Sequence, residues 1–232
     1  MATPIRISAL VMILFTVLLP LTGESYIPEV RDPQLEQLHR LIKEDDPEAL
    51  QQKILWEGAP ADAADSEGRT LLHFAAYADR TEAARVLIRS GADIEARDSS
   101  GRLPIHLARD PGIIDILSGG GRLLFVPDHV GETPAKTLIE AGEEFLRPLL
   151  DAGYAHASSD DGTTLLHAAA ALGAYDAVSL LLERQAYVNA AAEDRMRPID
   201  FAFSRPESTD HLRTAHLLAL HGSAPPSADA YR

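Results

Sequence analysis

The sequence has no cysteine among its 232 residues. Disulfide bonds, thiolate metal sites, cysteine nucleophiles and lipid attachment at an N-terminal cysteine are therefore excluded. Aromatic residues make up only 6% of the chain, so a core must be built from leucine, isoleucine, valine and alanine. This composition favours helices over a β-sandwich. The sequence also lacks the nucleophile-elbow, zinc-protease, P-loop and dinucleotide-binding motifs of common enzyme classes.

Positive charge is scarce as well. The chain has 21 lysines and arginines against 35 aspartates and glutamates, a formal net charge of −14. An acidic surface repels nucleic acid and anionic membranes and attracts basic proteins, although acidity also serves solubility alone. We therefore expect no nucleic-acid partner and, if electrostatics guides binding, a basic protein partner.

One long apolar run, ISALVMILFTVLLPL, occupies residues 7–21 and follows a single positive charge at Arg6. A short positive start, an apolar stretch of this length and a small-residue exit are typical of a cleaved signal peptide. We predict a signal peptide over 1–25 and a periplasmic or secreted protein without membrane contact after cleavage. The alternative is an uncleaved anchor in the inner membrane, because about 20 apolar residues can span a bilayer.

A six-residue pattern recurs through the remaining sequence. GRTLLH at 68–73 returns as GRLPIH at 101–106, GETPAK at 131–136, GTTLLH at 162–167 and RMRPID at 195–200. The spacings of 33, 30, 31 and 33 residues indicate an array of stacked structural repeats.

The period and the T-x-L-H motif resemble the ankyrin repeat family, and GRTLLHFAAYADRTEAARVLIRSGADIEARD at 68–98 follows the family pattern most fully. The resemblance covers roughly residues 33–222. It implies an all-α solenoid of stacked helix-turn-helix units with β-hairpin-like finger loops. It also implies a noncatalytic scaffold that binds another protein. Export together with a short, capped array indicates a bacterial protein, and we expect it to be a monomer.

The array needs caps at its ends, because each repeat buries apolar surface against its neighbours. We predict a degenerate N-terminal capping repeat over 26–64, about five repeats over 65–222 with the second shortened, and a disordered tail over 223–232. Two apolar stripes are predicted in the cap: Leu35, Leu38, Leu41 and Ile42, and then Leu50, Ile54 and Leu55.

Histidines recur at the end of the motif and raise the question of catalysis. The family resemblance gives them a structural role instead, with hydrogen bonds inside the repeat and to its neighbour. Three repeats at about 10 Å each would separate His73 from His167 too widely to share one substrate atom. We therefore predict no catalytic residue, no metal and no cofactor, and a surface position for His211. The structural residues are Thr70, His73, His106, Thr164 and His167.

The unit at 101–128 is three residues short, and its finger reads RLLFVPD. Aligned with the preceding finger, Leu124 takes the anchoring position, so Leu123 and Phe125 are expected to face outward as a binding site. The alternative is that this finger folds back to fill the gap left by the shortened helix.

We predict that a partner protein binds the fingertips and the concave face of the inner helices. The partner role is that of an accessory or protective factor or of an immunity protein. Alternatives are a membrane-anchored scaffold and an enzyme with an unrecognised acid–base pair among the finger carboxylates. The binding candidates are Glu67, Arg69, Tyr77, Arg97, Ser99, Arg102, Leu123, Phe125, His129, Glu132, Asp161, Tyr175, Glu193 and Arg195.

Overall fold

The computed structural model describes residues 32–192, 195–203 and 208–223. The predicted signal peptide, Glu193 and the tail from residue 224 lie outside these residues. Within the described part the chain is helical and has no extended strand, which confirms the predicted all-α class. Isolated antiparallel bridges join Ala64 to Thr70 and Ser158 to Thr164 at the bases of two fingers. No helix in this part is long and apolar enough to cross a bilayer.

Helices pair in chain order, an inner helix followed by an outer one, and successive pairs pack against each other. We use "finger" for the loop from each outer helix to the next inner one. The pairs are α1 (Pro33–Lys43) with α2 (Pro47–Glu57), α3 (Leu71–Tyr77) with α4 (Thr81–Arg89), a short 3-10 helix (Pro104–Leu107) with α5 (Pro111–Leu117), α6 (Pro134–Ala141) with α7 (Glu143–Asp151), α8 (Leu165–Leu172) with α9 (Tyr175–Glu183), and α10 (Pro198–Ala202) with α11 (Thr209–Leu220).

Three helices begin at an Asp-Pro step. The side chains of Asp32, Asp46 and Asp110 accept hydrogen bonds from amides two or three residues onward, at 2.9, 2.9 and 3.1 Å. The proline that follows occupies the first helical position, where a missing N–H costs nothing and the fixed φ suits the helix. These steps set the start of α1, α2 and α5.

A pair of leucines and a pair of alanines are buried on each regular inner helix. Leucine pairs at 71–72 and 165–166 and alanine pairs at 75–76 and 169–170 are all 0% exposed. The leucines supply the apolar area, and the alanines let neighbouring helices approach closely.

The first hairpin buries most of its predicted stripes. Leu35, Leu38 and Ile42 on α1 are at most 3% exposed, as is Leu50 on α2, whereas Leu55 is 57% exposed. The prediction that Leu55 belongs to the buried stripe is wrong. It follows Ile54 by one residue, which turns its side chain about 100° away from the buried side of the helix.

The shortened repeat replaces its inner α-helix by one 3-10 turn, and its outer helix has seven residues. Gly119, Gly120 and Gly121 follow with φ of 57°, 74° and 99°, a left-handed run that glycine adopts readily. This run turns the chain back, and a second 3-10 helix, Arg122–Phe125, begins at once.

The finger after the shortened repeat packs inward. Leu123 and Leu124 are both 0% exposed, and Phe125 is half-buried. The prediction that Leu123 faces outward is wrong, because it assumed an extended finger whose side chains alternate between two sides. The segment is a 3-10 turn, so two neighbouring leucines can both enter the core. The burial agrees with the alternative that this finger fills the gap.

Polar contacts also tie this region to the following repeat. The Tyr154 hydroxyl donates to the Asp115 carboxylate at 2.7 Å and accepts from the Ser118 hydroxyl at 2.9 Å. Arg122 pairs with Glu95 of the preceding finger. The middle of the stack is therefore joined by contacts that the regular repeats do not use.

We expect Leu123→Ala to lower the free energy of unfolding by about 3 kcal/mol, because it removes a fully buried leucine side chain and leaves a cavity. Val130→Ala is the control, since Val130 is 81% exposed and its loss should change stability by less than about 0.5 kcal/mol. Urea unfolding measures both variants. Equal stabilities would contradict the packing role of Leu123.

Candidate functional site

The base of each regular finger is held by a histidine. The Thr70 amide donates to His73 Nδ1 at 3.1 Å, and the Thr70 hydroxyl lies 2.9 Å from the same nitrogen. Because Nδ1 accepts, the ring proton is on Nε2, which donates to the Arg102 carbonyl at 3.0 Å. We call this pair of contacts, one within the repeat and one to the next, a histidine clamp.

The same clamp recurs later in the stack. His167 Nδ1 accepts from the Thr164 amide at 3.1 Å, and Nε2 lies 3.1 Å from the Met196 carbonyl of the next repeat. Both histidines are 0% exposed, and burial lowers the pKa of His73. Both ring nitrogens are engaged in each clamp, so each histidine acts in the scaffold as a neutral imidazole.

The clamp changes in the middle of the stack. His106 Nδ1 accepts from the Leu103 amide at 3.0 Å, and its buried Nε2 is near the Glu132 backbone but makes no hydrogen bond of good geometry. In the following repeat Lys136 takes the histidine position, and its Nζ turns back to Glu132 at 2.6 Å. These two repeats therefore lack the imidazole-to-carbonyl bond of the regular clamp.

The last repeat carries an aspartate at the clamp position. Asp200 is 0% exposed and accepts from the Arg197 amide at 2.8 Å. A carboxylate can replace Nδ1 as the acceptor inside the repeat.

An aspartate fixes the turn at each of the first two fingertips. Asp65 Oδ1 accepts from the amides of Glu67 and Arg69, both at 2.9 Å, and Oδ2 accepts from the Arg69 side chain at 2.9 Å. Asp98 makes the equivalent bonds with Arg102. Arg69 and Arg102, two of the four arginines predicted to contact a partner, are thus paired with buried carboxylates and also order the turns.

Backbone hydrogen bonds join consecutive fingertips. The Ser99 amide donates to the Glu67 carbonyl at 2.8 Å, and the His129 amide donates to the Ser100 carbonyl at 3.0 Å. Arg97 extends this link by donating to the carbonyls of Gly101 and Pro127. The first three tips therefore form one row.

The candidates differ in their accessibility. Leu123 is buried, and Glu193 lies outside the described residues. The exposed ones are Glu67, Tyr77, Arg97, Ser99, His129, Asp161 and Arg195, and the half-buried ones are Arg69, Arg102, Phe125, Glu132 and Tyr175.

Two candidates have particular surroundings. Tyr175 begins α9 beside an open cavity of about 430 Å³ that Glu143 and Asp210 also line, and none of the fingertip candidates reaches this cavity. Arg213 lies 4.7 Å from the Tyr175 ring centroid. Arg195 has a φ of 64° at the place where the four preceding fingers have glycine.

One buried histidine, His211, and one half-buried histidine, His39, were not recognised from the sequence. His211 is 5% exposed, and its Nε2 lies 3.0 Å from the Ala171 carbonyl, so the predicted surface position is wrong. His39 stacks on Phe74 with ring centroids 3.6 Å apart, and neither of its buried nitrogens has a hydrogen-bond partner. Burial lowers the pKa of His39 to about 4. Its spacing on α1, four residues after Leu35 and three before Ile42, was the available signal.

Comparisons with known proteins agree with this architecture. Residues 38–119 match the model "Ankyrin repeats (3 copies)", and residues 161–193 match the model "Ankyrin repeat". Among solved structures, the ankyrin repeat domain of Bcl-3, titled a unique member of the IkappaB protein family, is similar with a TM-score of 0.60 and 23% identity. The match covers 84% of this chain and 89% of that one, and at this identity it shows the fold. Among curated proteins no sequence matches.

Stability should fall in mild acid. Burial lowers the pKa of His39, His73 and His106, so each ring binds a proton more readily in the unfolded chain. Their contribution is complete above the ordinary pKa of 6.5 and is lost as the pH falls below it, in the case of His39 towards about 4. We expect about 2 kcal/mol less stability at about pH 5 than at about pH 7.5 in urea unfolding.

His39→Phe tests the assignment of part of this effect. Phenylalanine keeps the contact with Phe74 and removes one titrating ring, so the variant should lose less stability between the two pH values. An unchanged pH dependence would contradict the role of His39.

The incomplete clamp can be repaired. In Lys136→His the new Nδ1 would face the Thr133 amide and the new Nε2 would face the Thr163 carbonyl. Thr163 follows its turn glycine as Arg102 does in the regular clamp. We expect a gain of about 1 kcal/mol, the usual net value of a buried hydrogen bond. Lys136→Gln is the control, because it removes the charge without adding the ring. A histidine variant no more stable than the glutamine variant in urea unfolding would refute this expectation.

Proposed function

Because this chain is an ankyrin repeat protein, we propose that it is a noncatalytic scaffold that holds another protein on its fingertips and on the adjoining concave face. Ankyrin repeats are protein–protein interaction scaffolds. The proposed setting is the periplasm, after export directed by residues 1–25. The proposed role is that of an accessory or protective factor, or of an immunity factor that neutralises a toxic protein.

The row of linked fingertips is the observation that carries the proposal. Glu67, Ser99 and His129 are exposed on tips whose backbones hydrogen-bond to one another. A continuous row of this kind offers side chains of several chemistries to one extended partner surface. The spacing of the tips is set by the stack and does not depend on the partner.

The fingertip turns are ordered before any partner arrives. Asp65, Asp98 and Asp128 each accept two backbone amides of their own turn through one carboxylate oxygen. A loop that is already ordered loses little conformational entropy on association, which favours affinity. The same bonds would keep the exposed tip residues at fixed distances from a partner.

One fingertip carries an exposed carboxylate, Asp161, that suits a basic partner. A hydrogen bond from Ser159 lowers the pKa of Asp161, which keeps this exposed carboxylate ionised. With a net charge of −14, the whole chain attracts a basic protein and speeds encounter with it. A complex of this kind should weaken as salt increases.

The proposal is tested by a fingertip variant that combines Glu67→Ala, His129→Ala and Asp161→Ala. We expect it to bind a partner captured from the periplasmic fraction at least about tenfold more weakly than the unmodified chain, because interface side chains are lost. Calorimetry with the purified partner measures the affinity at low and high salt.

The matched control combines Glu82→Ala, Glu183→Ala and His216→Ala. Like the fingertip variant, it removes two carboxylates and one histidine, all exposed, here from the outer helices α4, α9 and α11. The control should bind within about twofold of the unmodified chain. Equal losses in both triple variants, or none in the fingertip variant, would refute binding at the fingertips.

A further inference from the structure

Helix α2 has an exposed side that combines apolar and acidic residues. Glu48, Gln52, Leu55 and Trp56 follow the spacing i, i+4, i+7 and i+8, which places them on one face of the helix. All four are exposed, Leu55 at 57% and Trp56 at 83%. We call these four residues the α2 face. Trp56 is the one tryptophan of the chain.

The opposite side of α2 accounts for its packing in the stack. Leu50 is 0% exposed and Ile54 is 8% exposed, and the helix contacts α1 and α4. The α2 face is thus not needed for the core. A large aromatic and a leucine side by side on a surface are a common feature of binding sites, and tryptophan is enriched among residues that dominate interface energies.

The segment around α2 carries half of the net charge. Residues 44–67 contain eight carboxylates and one lysine, a net charge of −7 out of −14 for all 232 residues. The single lysine, Lys53, is neutralised by Glu57 at 2.6 Å. Asp65 is paired with Arg69, and the other carboxylates are exposed: Glu44, Asp45, Asp46, Glu48, Glu57, Asp62 and Glu67. Among these, Asp45 lies 3.9 Å from Arg80 and Glu67 lies 3.5 Å from Arg69.

The carboxylates flank the α2 face along the chain. Glu44, Asp45 and Asp46 lie in the turn before the helix, Glu48 is on the face, and Glu57 ends the helix. Because Glu57 is paired with Lys53, the unpaired negative charge lies mainly at the start of the helix. It is complementary to a surface with an apolar patch beside positive charge.

We propose that the α2 face is a second docking surface, separate from the fingertips, and that it binds a basic amphipathic helix of a partner protein. Aliphatic side chains of that helix would pack on Leu55 and Trp56. Its lysines and arginines would form ion pairs with the surrounding carboxylates. The 11 residues of α2 span about 16 Å, which matches three turns of such a helix.

Charge argues against a second copy of this chain as the occupant. A symmetric dimer through the α2 face would bring two segments of net charge −7 together. Like charges across an interface oppose association, whereas a basic helix gains attraction at every carboxylate.

Trp56 reports the proposed binding directly. The probe is a synthetic 14-residue helical peptide of leucine and lysine with one apolar stripe, added to the full chain. We expect the emission of Trp56 to shift to shorter wavelength as the ring leaves water. The dissociation constant should rise about tenfold or more between about 0.05 M and about 0.5 M salt, because salt screens exposed charges.

Variants with matched controls locate the binding. Leu55→Gln should weaken peptide binding about tenfold and Glu48→Gln about threefold, since each removes one exposed group of the α2 face. The controls are Leu220→Gln, at a leucine that is 70% exposed on α11, and Glu183→Gln, at an exposed carboxylate on α9. The controls should bind as the unmodified chain does. All four substituted side chains are exposed, so thermal unfolding should be unchanged.

Several results would overturn the proposal. Emission already at short wavelength in the dilute protein would mean that the chain itself covers Trp56. A shift that depends on protein concentration without peptide would identify a second copy as the occupant. A peptide with glutamine in place of lysine that binds equally well, or a leucine-free lysine peptide that shifts the emission equally, would refute a basic amphipathic partner. So would equal losses in the variants and their controls.

Discussion

A hydrogen bond from an imidazole to the carbonyl of the next repeat sets the register of this molecule. His73 and His167 each tie the start of an inner helix to the following finger, at 3.0 and 3.1 Å. Each ring is buried, and its Nδ1 accepts from the amide of its own threonine, which fixes the proton on Nε2. Because the carbonyl belongs to the finger turn, the same contact that stacks the helices also positions the surface residues beside it. Stability and the geometry of the binding row therefore have one origin.

The middle of the stack reaches the same result with different chemistry. Where His106 and Lys136 do not complete the bond, Leu123 and Leu124 fill the core and Tyr154 reaches back to Asp115. The imidazole-to-carbonyl hydrogen bond is replaced by the packing of two leucines and by the hydrogen bond of the Tyr154 side chain. Apolar contacts tolerate small rotations better than a hydrogen bond does, so the shortened repeat can be accommodated without breaking the row of tips.

The 33-residue period and the T-x-L-H motif were enough to predict the class of fold, the order of helices and the fingertip positions. The errors came from contacts that no local pattern contains. Leu123 was assigned to an extended finger, but the glycines before it begin a 3-10 turn. Leu55 differs from the buried Ile54 by a single helical step. His211 is buried because a carbonyl 40 residues earlier, that of Ala171, accepts its proton.

The turn glycines show what the fingertip backbone requires. A Cβ at Gly68 would lie 3.6 Å from the next finger's backbone, one at Gly162 would lie 2.9 Å from the Ala191 carbonyl, and one at Gly101 would overlap the His129 ring at 2.3 Å. A Cβ at Gly131, the equivalent glycine of the third finger, would meet open space, so close approach of the next finger is not common to all four turns. What the turns share is a left-handed backbone, which Arg195 adopts in the last finger with a φ of 64°. A glycine at this position therefore reports the conformation of the turn, and only in some fingers does it also report how near the next finger lies.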